Sequence, residues 1–233
     1  VRHAIATVFK ATVSKDARVL TELSERCGWQ GLFAFNQISE LALTFQGNSI
    51  AEGDVLVLCI RLASELLGSK YALPQPRFPL SKLALHETGL FAEAERLVNE
   101  FGGYQAHRGE AFNAQVLPRT RTLIEAIGCR MAYEAAEAYH VHPAVVRLYE
   151  HISMGEDLSW YVENGHTERS VFFDSLAASY EAATPALLLR QEDMKTGPYI
   201  TAPIMSHASW DVFLDRLPQW KVGPCTQSVR PKL

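Results

Sequence analysis

Ser49-Ile50-Ala51-Glu52-Gly53-Asp54 leads directly into Val55-Leu56-Val57-Leu58-Cys59-Ile60, and this passage from acidic and small residues to an unbroken apolar run decides the fold. Acidic side chains favour the positive N-terminal end of a helix. The spacing predicts a helix from about Glu52 to Leu67, apolar nearly all round and therefore buried, with Gly68 ending it. Gln46-Gly47-Asn48 reads as a polar loop before it, and a short helix is expected across Phe35 to Leu43.

Upstream, Ile5, Val8, Phe9, Val13, Val19, Leu20 and Leu23 recur at amphipathic spacing, predicting one helix from about Ile5 to Arg26. It starts without a capping signal, as though the chain began inside a bundle. Cys27-Gly28-Trp29-Gln30-Gly31 stops it, with Gly28 as a left-handed cap. Downstream, Leu73-Pro74-Gln75-Pro76-Arg77-Phe78-Pro79 is too proline-rich to continue a helix and marks a stiff linker. Helical patterns follow at Leu80 to Phe101, Ala111 to Tyr139, Pro143 to Val162, Ser170 to Leu189 and Trp210 to Leu217. Period-two strand patterns are missing, so the expected class is all-α and bundle-like, divided as 1–72, the linker 73–79, and 80–233.

The 233 residues are 48% hydrophobic and 21% charged, ordinary globular composition. A net charge of -4 argues against nucleic acid, which needs a basic face. No apolar run reaches the roughly 18 residues of a membrane span, and no secretory signal pattern opens the chain. Cys27, Cys59, Cys129 and Cys225 are scattered and read as reduced thiols in a cytosol-like compartment. The terminal Pro231-Lys232-Leu233 lies near the peroxisomal Ser-Lys-Leu signal, which leaves a peroxisomal location as the alternative to a cytoplasmic one.

Several segments together resemble the C-terminal part of the acyl-CoA oxidase and acyl-CoA dehydrogenase family. Glu25-Arg26-Cys27-Gly28-Trp29-Gln30-Gly31 is similar to the family's glycine turn, and Ile50-Ala51-Glu52-Gly53-Asp54 looks like its Glu-Gly motif. Phe33-Ala34-Phe35-Asn36-Gln37-Ile38 resembles a segment of bacterial oxidase members. Leu148-Tyr149 through Ser159-Trp160-Tyr161-Val162-Glu163-Asn164-Gly165 and Thr201-Ala202-Pro203-Ile204 are similar to the oxidases' extra helical domain. The likeness covers most of the chain.

It implies the end of the flavin-contacting bundle followed by a second, oxidase-type bundle, with FAD as cofactor and an acyl thioester as substrate. It implies Glu52 as the base that takes the α-proton while the β-hydrogen passes to flavin. Gly28, Trp29, Gly31, Gly53 and Asp54 would touch the cofactor, and oligomers through helical faces would form. The β-domain and N-terminal helical domain of the family have no counterpart here, so the flavin-bearing half is an implied partner, on the same or a separate polypeptide. Trp29 stands where the family has a second glycine, and Val55 where a polar residue often follows the Glu-Gly pair. A non-catalytic assembly module of the same fold is the alternative.

Other constellations carry less. His140-Val141-His142 lacks further metal ligands at matching spacing, so no metal is expected. Gly102-Gly103 has no preceding strand for a phosphate loop, and Ser206-His207 shows no nucleophile arrangement. Trp160, Tyr161, Phe172 and Phe173 read as core or interface.

Overall fold

The computed structural model describes residues 2–70 and 72–218, and every regular element among them is helical. The α-helices are α1 (Arg2–Asp16), α2 (Val19–Arg26), α3 (Ile38–Ile50), α4 (Val55–Leu67), α5 (Lys82–Glu100), α6 (Glu110–Gln115), α7 (Thr120–Ala138), α8 (Pro143–Gly155), α9 (Leu158–Glu163), α10 (Arg169–Asp193) and α11 (His207–Arg216). No helix among the described residues is long and apolar enough to cross a membrane.

Several expected helices are divided. The predicted helix from Ile5 to Arg26 breaks at Ala17-Arg18, where α1 runs against α4 and α7 while α2 turns towards α3. Ala111 to Tyr139 is split because Pro118 lacks an N–H and sits in a 3-10 turn (Leu117–Arg119) ahead of α7. Pro143 to Val162 is divided into α8 and α9 after Gly155. In the opposite sense, Gln46-Gly47-Asn48 forms no loop: α3 runs through it to Ile50.

The main core joins α1, α4, α5 and α7 through Val8, Val55, Cys59, Leu62, Leu123, Ile124 and Ile127, with Ala4, Ala11, Ala63 and Ala94 keeping the helices close. A Cβ on Gly128 would overlap Thr12 Oγ1, so this glycine sets the approach of α7 to α1. Helices α5 and α7, which follow the proline linker, therefore complete the core begun before it. A second cluster, with Leu83, Cys129, Met154, Tyr161 and Phe172, packs α5 and α7 against α8, α9 and α10.

Among these apolar layers lies one buried charge group. Arg130 on α7 is 1% exposed. Its Nε donates to Glu87 Oε2 on α5, and its Nη2 donates to Glu87 Oε1 at 3.2 Å. Nη1 donates to Glu134 Oε2 at 2.9 Å, and Nη2 reaches the carbonyl of Pro74 at 3.4 Å. The Arg77 N–H donates to Glu134 Oε1 at 2.8 Å. Burial pushes the Glu87 carboxyl up even though Arg130 pulls it down. Burial also works to lower Arg130, but its contacts with Glu87 and Glu134 outweigh this and raise it. The two-point contact on Glu87 makes the charged pair the working arrangement.

Arg130→Met strands two buried carboxylates, which costs about 3–5 kcal/mol, so the thermal midpoint should fall by about 10 °C. Replacing Glu87, Arg130 and Glu134 together with apolar residues should recover part of that loss in the same calorimetric scan.

A second polar contact is pH-sensitive. His86 Nε2 lies 3.0 Å from Asp157 Oδ2, and this hydrogen bond holds the Asp157 carboxyl below its usual range against the opposing effect of burial. A depressed folded-state carboxyl contributes stability above its unfolded pKa and loses it as pH falls through the folded one. The stability gap between the native chain and His86→Leu, read from urea midpoints, should therefore hold above about pH 5 and shrink as the pH falls from there to about 3 and below.

Candidate functional site

The Glu-Gly segment folds as a tight turn between two helices. Helix α3 closes with Ala51 N donating to Gly47 O at 3.0 Å, after which Glu52 has φ 57 and Gly53 has φ 111. Consecutive left-handed residues cannot open a right-handed helix, so α4 begins at Val55 rather than Glu52. The helix-start role passes to Asp54, whose Oδ1 accepts from Leu56 N at 2.9 Å and Val57 N at 3.2 Å. This also corrects the expected all-round burial of α4: Val55, Cys59, Leu62 and Ala63 are buried, while Leu56 and Val57 are exposed.

The turn is held from outside by a residue that sequence reading missed. Lys10, on α1, donates from Nζ to the carbonyl oxygens of Ala51 and, at 2.6 Å, of Gly53. It straddles Glu52 and fixes the backbone on both sides of it. Its only sequence signal was a lysine on the amphipathic helix; the carbonyls it meets lie some forty residues away (|i−j| of 41 and 43). The Glu52 side chain is exposed, and its N–H donates to no backbone or side-chain acceptor among the described residues.

Two grooves flank this region. Glu52 lines one of about 570 Å³ with Phe9, Lys10, Phe45, Asn48, Ala51 and Leu58. Asp54 lines the other, of about 450 Å³, with Ser14, Arg18, Thr21, Gln46, Ser49 and Arg121. Ser14 and Phe45 belong to both walls. Glu52 and Asp54 are therefore neighbours in sequence that face different spaces. Helix α3, which leads into the turn, has no buried residue, although it carries Ile38, Leu41, Leu43, Phe45 and Ile50.

The residues named for cofactor contact do not meet in one cavity. Gly28, at φ 63, caps α2 with open space around it, and Trp29 beside it is 75% exposed with its ring 5.3 Å from Phe33. Gly31 is buried, and a Cβ there would overlap the Ser24 carbonyl oxygen, so its requirement is close packing on α2. Gly53 supplies the left-handed turn and Asp54 caps α4. These positions alone do not form a flavin cradle.

Asn36, which entered the sequence reading only within the segment Phe33 to Ile38, makes a contact that its sequence did not signal. It is buried, donates from Nδ2 to Gln30 O at 2.8 Å and accepts from Ile204 N at 3.1 Å. With Gln37 Nε2 donating to Thr201 Oγ1 at 3.1 Å, and Phe35 4.3 Å from Phe213, it straps the segment Thr201-Ala202-Pro203-Ile204 to the glycine turn. A polar residue between Phe35 and Gln37 gave no hint of a partner so far along the chain.

No group of three or more metal-binding side chains occurs among the described residues; His142 instead accepts from Ala144 N at 3.3 Å and caps α8. Ser206 caps α11 through Ser209 N at 3.0 Å. Tyr161 and Phe172 are core, whereas Phe173 is half exposed beneath Arg169. Cys27, Cys59 and Cys129 are free thiols; Cys225 and Pro231-Lys232-Leu233 lie outside the described residues.

No family model, curated protein or solved structure matches the chain.

Lys10→Met removes both bonds to the turn, so amide exchange of Ala51, Leu56 and Val57, the bonded N–H groups on either side of it, should quicken several-fold, read by hydrogen exchange, with global stability falling by no more than about 1–2 kcal/mol. Gly53→Ala places a side chain at φ 111 and should cost about 1–3 kcal/mol in urea unfolding.

Proposed function

We propose that this chain is the catalytic-base portion of an FAD-dependent acyl-CoA, or acyl-carrier, oxidase or dehydrogenase, with Glu52 as the base. The observation that carries this reading is the position of Glu52: a glutamate on a left-handed turn, next to glycine, at the rim of a groove of about 570 Å³. That volume lies within the range of small-molecule sites. Phe9, Phe45 and Leu58 offer apolar wall, and Lys10 fixes the backbone on either side of the carboxylate.

The α-proton of an acyl thioester is weakly acidic, and its removal leaves charge on the thioester oxygen. A carboxylate serves as base when desolvation raises its pKa. Glu52 is exposed in this chain, so the proposed active state has its carboxylate covered by another segment that also carries the cofactor. The unpaired Glu52 N–H supplies a donor for the developing oxyanion. Bound flavin would provide the acceptor for the β-hydrogen, giving a trans-2-enoyl thioester. The unburied apolar side chains of α3 suit the covering segment, which in this reading is the flavin-bearing half or a further copy in an oligomer.

The same apolar helix also favours the second reading, a non-catalytic assembly module. The test is to isolate the chain with its natural partner segment and add acyl-CoA anaerobically. In the first reading FAD co-purifies, substrate bleaches it, and Glu52→Gln keeps the flavin but slows bleaching by at least about a hundredfold. Colourless complexes, or unchanged bleaching in Glu52→Gln, would sink the assignment of Glu52 and leave the assembly role.

A further inference from the structure

Away from the Glu52 turn, a small cavity of about 90 Å³ lies among α1, α5, α7 and α8, with Lys15, Leu83, His86, Ala126, Cys129 and Asp157 in its wall. That is enough to admit a molecule of water or peroxide size. Cys129 is 8% exposed, and Lys15 Nζ lies 3.4 Å from its Sγ although 114 residues separate them. In the same apolar cluster as Cys129, Tyr161 is fully buried and its hydroxyl has no hydrogen-bond partner. A nucleophilic sulfur and an amine are thus held in contact at the wall of a small cavity.

We propose that Lys15 and Cys129 form a peroxide-responsive cross-link, a sulfenamide bond between Nζ and Sγ that ties α1 to α7. In the first step the Cys129 thiolate attacks hydrogen peroxide, the O–O bond breaks, and sulfur is oxidised by two electrons to sulfenic acid. The departing hydroxide takes a proton from the Lys15 ammonium, giving water and the free amine. In the second step Nζ attacks the sulfenic sulfur; the N–S bond forms, the S–O bond breaks, and the hydroxyl leaves with an amine proton as a second water. One thiol, one amine and one peroxide become one sulfenamide and two waters, and the cross-linked protein is lighter by two hydrogens.

The electrostatics suit this order. Burial works to lower the Lys15 pKa, but Cys129, Glu156 and Glu125 together raise it, so the ammonium is held against the sulfur before reaction. Conversion of the sulfur to sulfenic acid takes away the foremost of those raising influences, which eases release of the amine when it must act as nucleophile. The cavity supplies the access that a closed core would deny.

The experiment is a modest excess of hydrogen peroxide on the full chain, followed by alkylation, digestion and mass spectrometry. The expected product is a peptide pair joined through Lys15 and Cys129, lighter by two hydrogens and separated again by dithiothreitol. The bridge closes a long loop, so the thermal midpoint should rise by about 10 °C. Lys15→Arg keeps the charge and cannot condense in this way; there Cys129 should stop at a sulfenic acid that dimedone traps. Cys129→Ser should give neither product nor shift. Uncross-linked peptides from the native chain, with Cys129 unreacted or carried on to sulfinic acid, overturn the proposal, as does the same joined mass in Lys15→Arg.

Discussion

A single guanidinium holds the middle of the molecule together. Arg130 bonds α5 through Glu87, its own helix through Glu134, and the proline linker through the Pro74 carbonyl, while Glu134 reaches the Arg77 N–H on that linker. Prolines cannot donate backbone hydrogen bonds, so a segment such as Leu73 to Pro79 has few ways to be fixed. The buried cation and its carboxylates supply them. An apolar replacement could match its stability, but it could not bond the linker, and placing the linker places α5 against α7 and α4.

The Glu52 turn depends on the same core at one remove. Lys10 sits on α1, whose apolar side is fixed by α4 and α7, so its ammonium is delivered to the Ala51 and Gly53 carbonyls from a rigid base. Across the turn, Asp54 is spent on capping α4 and Glu52 is left unpaired. Adjacent carboxylates thus have different tasks set by backbone conformation: an extended residue caps, a left-handed one projects. The division into two grooves follows from it.

The helical class was legible because it rests on local pattern: apolar spacing, and prolines and glycines at breaks. Element ends were less so. Glu52 looked like a first-turn carboxylate because dipole preference does not distinguish it from Asp54; the φ of 57 does. Gln46-Gly47-Asn48 looked like a loop from its composition, yet α3 continues through it. Contacts between distant residues, Lys10 to the turn and Asn36 to Ile204, left no periodic trace at all. Arg130 and Glu134 were no more legible, because α7 also carries Arg121, Glu125 and Glu137 and spacing alone does not single out the buried pair. Gly31 was legible as a glycine requirement but not as its cause, which is the Ser24 carbonyl.

The packing of α1 has a consequence for how the chain reaches this structure. Helices α8 and α10 pair across a short connection, and their contacts close small loops. Helix α1 meets α7 only after more than a hundred intervening residues have been brought into place, and the close approach of Gly128 to Thr12 leaves little tolerance there. Loop-closure entropy favours the local hairpin as an early folding unit and makes docking of α1 a late event. The turn bearing Glu52, pinned by Lys10 from α1, is then among the last parts of the protein to acquire its native shape.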